Sequence, residues 1–220
     1  MRAITKLPEP PSLAQHRATA HADYDNFKDK DTLRARLVAE QRGLCCFCGG
    51  RIRASQGRMK IAHWLPQTPF PEHQLDYGNL LGACLGNEGQ PLEEQHCDSH
   101  QGNNRLSRNP ANPDHRIEDF IQFLPDGTIT SQDPVLAWEL GQRRPDGEFE
   151  EGVLNLNLSF LRTNRKSSLK AFTEGLRKRG QLSRPMLENL ICQWRGDNPG
   201  QLEAYAPVIV YWLRKRLAHA

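Results

Sequence analysis

Cysteines, histidines, one asparagine and one aspartate are the residues whose types and spacing offer chemistry. Cys45 and Cys48 stand with two residues between them in Leu44-Cys45-Cys46-Phe47-Cys48-Gly49-Gly50. On a turn, two thiolates so spaced both reach one tetrahedral zinc. Cys84 and Cys97, with twelve residues between them, are the candidate second pair. That spacing is looser than a second Cys-x2-Cys, so two readings stay open: a zinc site, or buried free thiols. Cys46 must point away from a metal held by its neighbours. Cys192 falls among apolar residues of a helical stretch and reads as a core thiol. A closed four-cysteine site leaves no position for water. It would be structural, clamping a loop-rich region with little core of its own.

His63 closes the apolar stretch 59–64, between the two cysteine pairs. Asn79 follows sixteen positions later. Asp98 comes directly after Cys97, with His100 two positions on. Each alone reads as ordinary: a structural or surface histidine, a turn asparagine. Their order inside a paired-cysteine frame carries the signal.

That order resembles the HNH nuclease motif in its zinc-supported, ββα-metal form. The matching pieces are Cys45-Cys46-Phe47-Cys48, then Ile61-Ala62-His63-Trp64, then 75–84 with Asn79, then His96-Cys97-Asp98-Ser99-His100-Gln101-Gly102-Asn103. The chain looks most similar to the HNH subunit of Septu-type anti-phage systems, the PtuB family, some members of which act as retron effectors. Leu85-Gly86-Asn87-Glu88-Gly89, Leu106-Ser107-Arg108-Asn109-Pro110 and Val153-Leu154-Asn155-Leu156-Asn157 extend the likeness over most of the chain.

The resemblance implies phosphodiester hydrolysis, which needs a base to activate water and a cation to neutralise phosphate charge. By that likeness His63 is the general base, and Asn79 holds the loop and helps orient it. Asp98 would be a ligand of a catalytic Mg²⁺ or Mn²⁺, alongside water and phosphate. His100 is the other candidate for the final motif residue. Two departures count. Ala62 stands where the family commonly has an acidic metal ligand, and Gln101 where a lysine is usual. A chain missing one ligand is expected to cleave poorly. The runner-up reading is a non-catalytic, zinc-stabilised module that binds nucleic acid or a protein. The likeness also implies partners: an SMC/ABC-like ATPase of the same system, a nucleic acid (DNA ahead of RNA), and, in retron members, a reverse transcriptase with its RNA–DNA product. It implies a bacterial, cytoplasmic setting and no membrane partner.

Charge agrees with that division of labour. The 220 residues carry a net charge of +3. Residues 1–160 hold 17 basic and 22 acidic side chains, whereas residues 161–220 hold 12 and 4. The average therefore hides a front of −5 and a back of +8. Arg165, Lys166, Lys170, Arg177, Lys178 and Arg179 cluster on one helical stretch, and Arg214, Lys215 and Arg216 crowd the last. Three readings compete: a solvated helix face, phosphate contacts that release counterions, and docking to an acidic partner. No apolar run approaches the roughly 18–20 residues of a membrane span. The start, MRAITKLPEPP, lacks the apolar stretch of a secretory signal. In a cytosolic setting, metal ligands or buried thiols are the expected use of cysteine.

The elements must place these groups. The fold class is α+β: a zinc-supported ββα-metal core with a mainly α-helical C-terminal extension. Residues 1–30 read as an extended, Pro-rich arm with one short helical turn and a candidate partner contact, 31–115 as the zinc-stabilised nuclease domain, and 116–220 as a β-hairpin plus helical region, basic from 161. Asp31 reads as an N-cap of a helix at 32–42 with Gly43 at C′. Residues 51–53 and 59–64 read as a hairpin-like pair. A short helix is expected within 97–106, and a hairpin about Pro125-Asp126-Gly127. Helices are expected at 158–179, after Ser183-Arg184-Pro185, and within 201–218. Trp194, Tyr205 and Trp212 read as core residues before interface ones.

Overall fold

The structure, a computed structural model, describes residues 1–177, 182–197 and 200–219. Along them run helices α1 (Pro11–Arg17) and α2 (Lys30–Glu40), strands β1 (Lys60–His63) and β2 (Leu80–Ala83), and the one-turn helices α3 (Asp98–Gln101) and α4 (Ile117–Phe120). Strands β3 (Ile121–Phe123) and β4 (Ile129–Ser131) follow, then α5 (Pro134–Leu140), α6 (Ser159–Arg177), α7 (Arg184–Arg195) and α8 (Ala206–Leu217). The class is α+β, with two two-stranded sheets among eight helices in the described residues. None of these helices is long and apolar enough to cross a membrane.

β1 pairs antiparallel with β2, His63 opposite Leu80 and Lys60 opposite Ala83. The 51–53 segment is not its partner: it makes one bridge, Leu44 to Arg51. The reason is side-chain pattern. Leu80, Leu81 and Ala83 are all fully buried, so β2 needs cover on both faces and a ladder partner, whereas Arg51 and Arg53 hold water-seeking heads. Helix α3 packs on β1, so strand, strand and short helix follow one another.

The first 30 residues are not a free arm. Pro10 and Pro11 start α1, and Met1, Ile4, Leu13 and Phe27 enter the main core. A fully buried leucine contributes about 1.5–3 kcal/mol, enough to tie such a short segment down. The N-cap of α2 is Asp29, whose Oδ1 accepts from the Thr32 amide. Asp31 sits in the first turn and pairs with Arg34 instead. At the other end Arg42, at φ 59°, takes the left-handed place before Gly43.

The Pro-Asp-Gly turn closes the β3–β4 hairpin, with Asp126 Oδ1 accepting from Thr128 N at 3.0 Å. Helix α5 was legible but not anticipated: Asp133 caps Val135 and Leu136, and Pro134 opens the helix. α6 runs at least to Arg177, and Lys178 and Arg179 lie outside the described residues. Ser183 precedes α7, and Gly196 ends it in the left-handed region. Cys192 is exposed on α7, so it is not a core thiol; Leu187, Leu190 and Ile191 form the inward stripe.

One core runs from Met1 to Leu161, drawing Ile121 and Ile129 of the second hairpin into the same cluster as Leu33, Leu37 and Leu81. A smaller core joins α6, α7 and α8 through Leu176, Leu187, Ile191, Ile209 and Leu213. Trp194 and Trp212 pack against that smaller core, both edge-on to Phe172.

Candidate metal centre and histidine site

The first two cysteines sit on a turn closed by Cys45 N to Gly50 O at 2.8 Å and Gly49 N to Cys45 O at 3.1 Å. Gly49, at φ 77°, supplies the left-handed residue this reversal needs. The turn is fastened to β2 twice. Cys46 N donates to Gly82 O, and the buried Gln41 amide brackets Gly82, accepting from its N–H at 2.6 Å and donating to its carbonyl at 2.7 Å. A Cβ at Gly82 would stand 3.0–3.2 Å from Ile52, Met59 and Gln41, so the approach requires glycine. Cys84 follows β2 directly. Cys97 N donates to Leu154 O at 2.9 Å, which ties the fourth cysteine to the 153–156 segment.

The Sγ atoms of Cys45, Cys48, Cys84 and Cys97 all lie within 4.8 Å of one another. Two pairs are closer, Cys45–Cys97 at 3.9 Å and Cys48–Cys84 at 3.8 Å. These are nearly twice a disulfide bond. They match the edge of a tetrahedron with about 2.3 Å from each sulfur to a central zinc, which is about 3.8 Å. The four cysteines can hold a metal ion such as zinc. Among the described residues no other group of three or more potential ligands comes together. Gly50 N and His96 Nδ1 approach Cys48 and Cys97 sulfurs at 3.3 and 3.1 Å, contacts suited to thiolate. Cys97 also holds φ 56°, ψ −139°, a region rarely used outside glycine and kept only where surroundings over-determine it. Burial works against thiolate at Cys45, but thiol donors from Cys46 and the other three cysteines draw its pKa well down. Burial pushes Cys97 up, and Cys45 pushes both Cys97 and Cys84 up. A central dication would hold all four as thiolates.

His63 ends β1 and is buried. Its Nε2 lies 3.0 Å from the Gln74 carbonyl. A carbonyl only accepts, so Nε2 carries the proton and Nδ1 keeps its lone pair. Tyr24 stands edge-on to the imidazole at 4.6 Å, and its amide donates to the Gln74 side chain. Asn79 bonds both ends of the 65–73 loop: Oδ1 accepts from Leu65 N at 2.7 Å, and Nδ2 donates to the Leu65 and His73 carbonyls, each at 3.0 Å. That loop leads into Gln74, so Asn79 acts on His63 through backbone.

Burial lowers the His63 pKa to about 4, opposed by the Gln74 carbonyl and Asp25. The unfolded chain takes this proton near pH 6.5 and the folded one near pH 4. Between those values the unfolded state binds more protons, so stability rises with pH and is fully present above about 6.5. Acidification from pH 7 to 4 is expected to remove at most about 3 kcal/mol through this group. Urea unfolding of wild type and His63→Gln at both pH values checks it: the variant should lose less on acidification. Equal losses would show that His63 is not held neutral.

Asp98 is engaged in an ion pair. It pairs with Lys60 Nζ at 3.1 Å, and Lys60 also meets Glu88 at 3.1 Å. Lys60 begins β1 and His63 ends it, about 10 Å further along the strand. Burial raises the Asp98 carboxyl and Lys60 opposes that. His100 faces away, Nδ1 on the Val153 carbonyl at 3.0 Å and Nε2 beside Glu151 at 3.2 Å. Gln101 is the α3 residue nearest His63: its Nε2 reaches the carbonyls of Trp64 and Asn104, each at 3.2 Å. Ala62, where the resemblance would place an acidic ligand, is fully buried. Apart from the four cysteines, no group of three or more potential metal ligands among the described residues supports a catalytic Mg²⁺ or Mn²⁺ ion.

The basic stretch divides. Lys166, Lys170 and Arg177 are exposed along α6, Lys170 within 3.8 Å of Glu174. Arg165 is fully buried and gives its forked head to the carbonyls of Gly127 at 2.9 Å and Leu156 at 2.6 Å. It is a structural cation, not a phosphate contact. Arg214 pairs with Glu118 at 2.9 Å. Sequence reasoning missed Tyr24, Gln74 and Gln41. Gln41 had no signal; for Tyr24 the available clue was an aromatic in a polar stretch, three positions before Phe27. Neither protein-family models nor curated proteins give a match to this chain, and its reading rests on the geometry above.

Proposed function

We propose that the chain is an HNH-type nuclease module, a metal-dependent effector of Septu or retron-like anti-phage defence that hydrolyses nucleic-acid phosphodiester bonds. The observation that supports this best is His63. It ends a strand, is held neutral by burial, and has its tautomer set by the Gln74 carbonyl so that Nδ1 can accept a proton. That is the state a general base needs. Asn79 keeps the loop that carries the carbonyl. The four cysteines would hold zinc, whose part is to join the turn, β2 and α3 into one rigid frame. His63 Nδ1 would take a proton from the attacking water as its oxygen bonds to phosphorus and the P–O ester bond breaks, with solvent protonating the leaving oxygen. No step is assigned to Asp98, whose carboxylate is engaged by Lys60. The exposed Lys166, Lys170 and Arg177 are available to nucleic acid or to an ATPase partner.

A second reading is favoured by the same Asp98–Lys60 pair and by the buried Ala62: a non-catalytic zinc-stabilised module that docks to such a partner. One assay separates them. The chain, alone and with its partner ATPase, is incubated with DNA and RNA in Mg²⁺ or Mn²⁺, beside His63→Ala. The nuclease reading expects cleavage that falls by about 10²–10⁴ in the variant. Absence of cleavage by wild type, or equal cleavage by both, leaves the binding module.

A further inference from the structure

A cavity of about 430 Å³ lies between the N-terminal segment, the end of α2, β3, and the facing sides of α7 and α8. None of the four clustered cysteines lines it, nor does His63. Its size falls within the roughly 300–1,000 Å³ of small-molecule sites. Four arginines line it: Arg2, Arg42, Arg195 and Arg214. Three carboxylates do too, but Glu40 is held by Lys6 at 2.5 Å and Glu118 by Arg214 at 2.9 Å. Counting Lys6, five cations face Glu40, Glu118 and Asp197, a surplus of two positive charges. Arg2 Nη1 is buried with no hydrogen-bond partner, a donor whose desolvation nothing offsets. Burial lowers the Arg2 pKa, Glu118 opposes, and Arg42 and Arg195 lower it further. Three aromatic side chains, Phe123, Trp194 and Tyr211, stand among the mainly apolar remainder of the wall, with Phe123 and Tyr211 edge-on at 5.8 Å.

We infer that this cavity binds a mononucleotide, its phosphate monoester seated against Arg2 and Arg195 and its base among Phe123, Trp194 and Tyr211. A phosphate dianion balances the surplus of two charges, and guanidinium forks match its oxygens in pairs. A planar ring suits the aromatic wall. A free nucleotide and the 5′-phosphorylated end of a strand offer this same chemistry. The inference stands apart from the nuclease reading, because no residue of the His63 site takes part.

Calorimetric titration of the full chain tests it, with AMP, GMP, adenosine, inorganic phosphate and a 5′-phosphorylated tetranucleotide as probes. AMP or GMP is expected to bind saturably, at least about tenfold tighter than adenosine or phosphate alone. Arg195→Ala, at an exposed position and so free of folding cost, should weaken it about tenfold or more, and Arg2→Ala likewise. Tetranucleotide binding as tight as AMP assigns the site to a strand end, and weaker binding assigns it to the free nucleotide; either supports the shared chemistry. The inference is overturned if neither nucleotide binds below about 1 mM. It is also overturned if adenosine or phosphate binds as tightly as AMP, or if Arg195→Ala leaves affinity unchanged.

Discussion

Removing metal from the four cysteines is expected to unfold the main core, not merely loosen a surface turn. All four sulfurs converge from three separate segments: the 45–50 turn, the end of β2 and the start of α3. Around them the chain is short of regular structure. Residues 41–59 contain no helix or strand, and 84–97 contain one single-turn 3₁₀ segment. Cys45, Cys48 and Cys97 are nonetheless members of the same apolar cluster as Leu33, Leu37 and Leu81. Structural zinc in small domains contributes on the order of 10–16 kcal/mol of apparent folding energy at neutral pH, against a whole-domain stability of about 5–15. Each kcal/mol shifts a domain of this size by about 2–4 °C. A strong chelator should therefore lower the melting temperature by more than about 15 °C. Elemental analysis of the purified chain should give about one zinc. Cys48→Ala and Cys84→Ala should each behave like chelated wild type. Cys46→Ala is the control: its sulfur is outside the four-ligand group, so it loses packing and one thiol contact to Cys45 but no metal ligand, about 1–2 kcal/mol. Metal-free protein that melts unchanged in chelator would remove the metal from the fold.

What the sequence made legible, and what it did not, follows one physical line. Features carried by local backbone demand were readable. The cysteine turn, the Pro-Asp-Gly hairpin, and the Ser183 start and Gly196 stop of α7 all depend on neighbours a few positions away. Features set by distant packing were not. β1 takes β2 instead of 51–53 because β2 is buried on both faces, a fact spread over the whole core. Asp98 is engaged by Lys60, and no spacing rule contains that pair. The exposed Cys192 was misplaced for a smaller reason: the apolar stripe Leu187, Leu190, Ile191 has a helical period, and Cys192 stands one step off it.

Arg165 is where that lesson yields its largest energetic consequence: truncating it to alanine is expected to cost about 3–5 kcal/mol, as for a broken buried charge network. Charge type alone grouped it with Lys166 and Lys170. Register separates them, for Leu161, Arg165, Leu169, Phe172 and Leu176 recur at helical spacing on one side of α6. An arginine inside an apolar stripe needs partners, and the fold supplies them: the Gly127 and Leu156 carbonyls, reached by two different guanidinium nitrogens. Those carbonyls belong to the β3–β4 turn and to the segment whose Leu154 carbonyl holds Cys97. Burial lowers the Arg165 pKa to about 10, while Cys48, Tyr205 and Cys97 raise it, so the head stays charged at neutral pH and near the sulfurs. Four thiolates around a dication carry two net negative charges, and a buried cation close by offsets part of them. Arg165→Ala should therefore lower the urea midpoint strongly and also weaken zinc retention against a fixed chelator. Arg165→Lys should recover little, since one ammonium cannot span two carbonyls as a planar fork does. Lys166→Ala, exposed one residue on, should stay within about 0.5 kcal/mol of wild type. Should Arg165→Ala match Lys166→Ala in stability and zinc retention, the side chain would have no structural role, and the surface reading of the whole basic stretch would return.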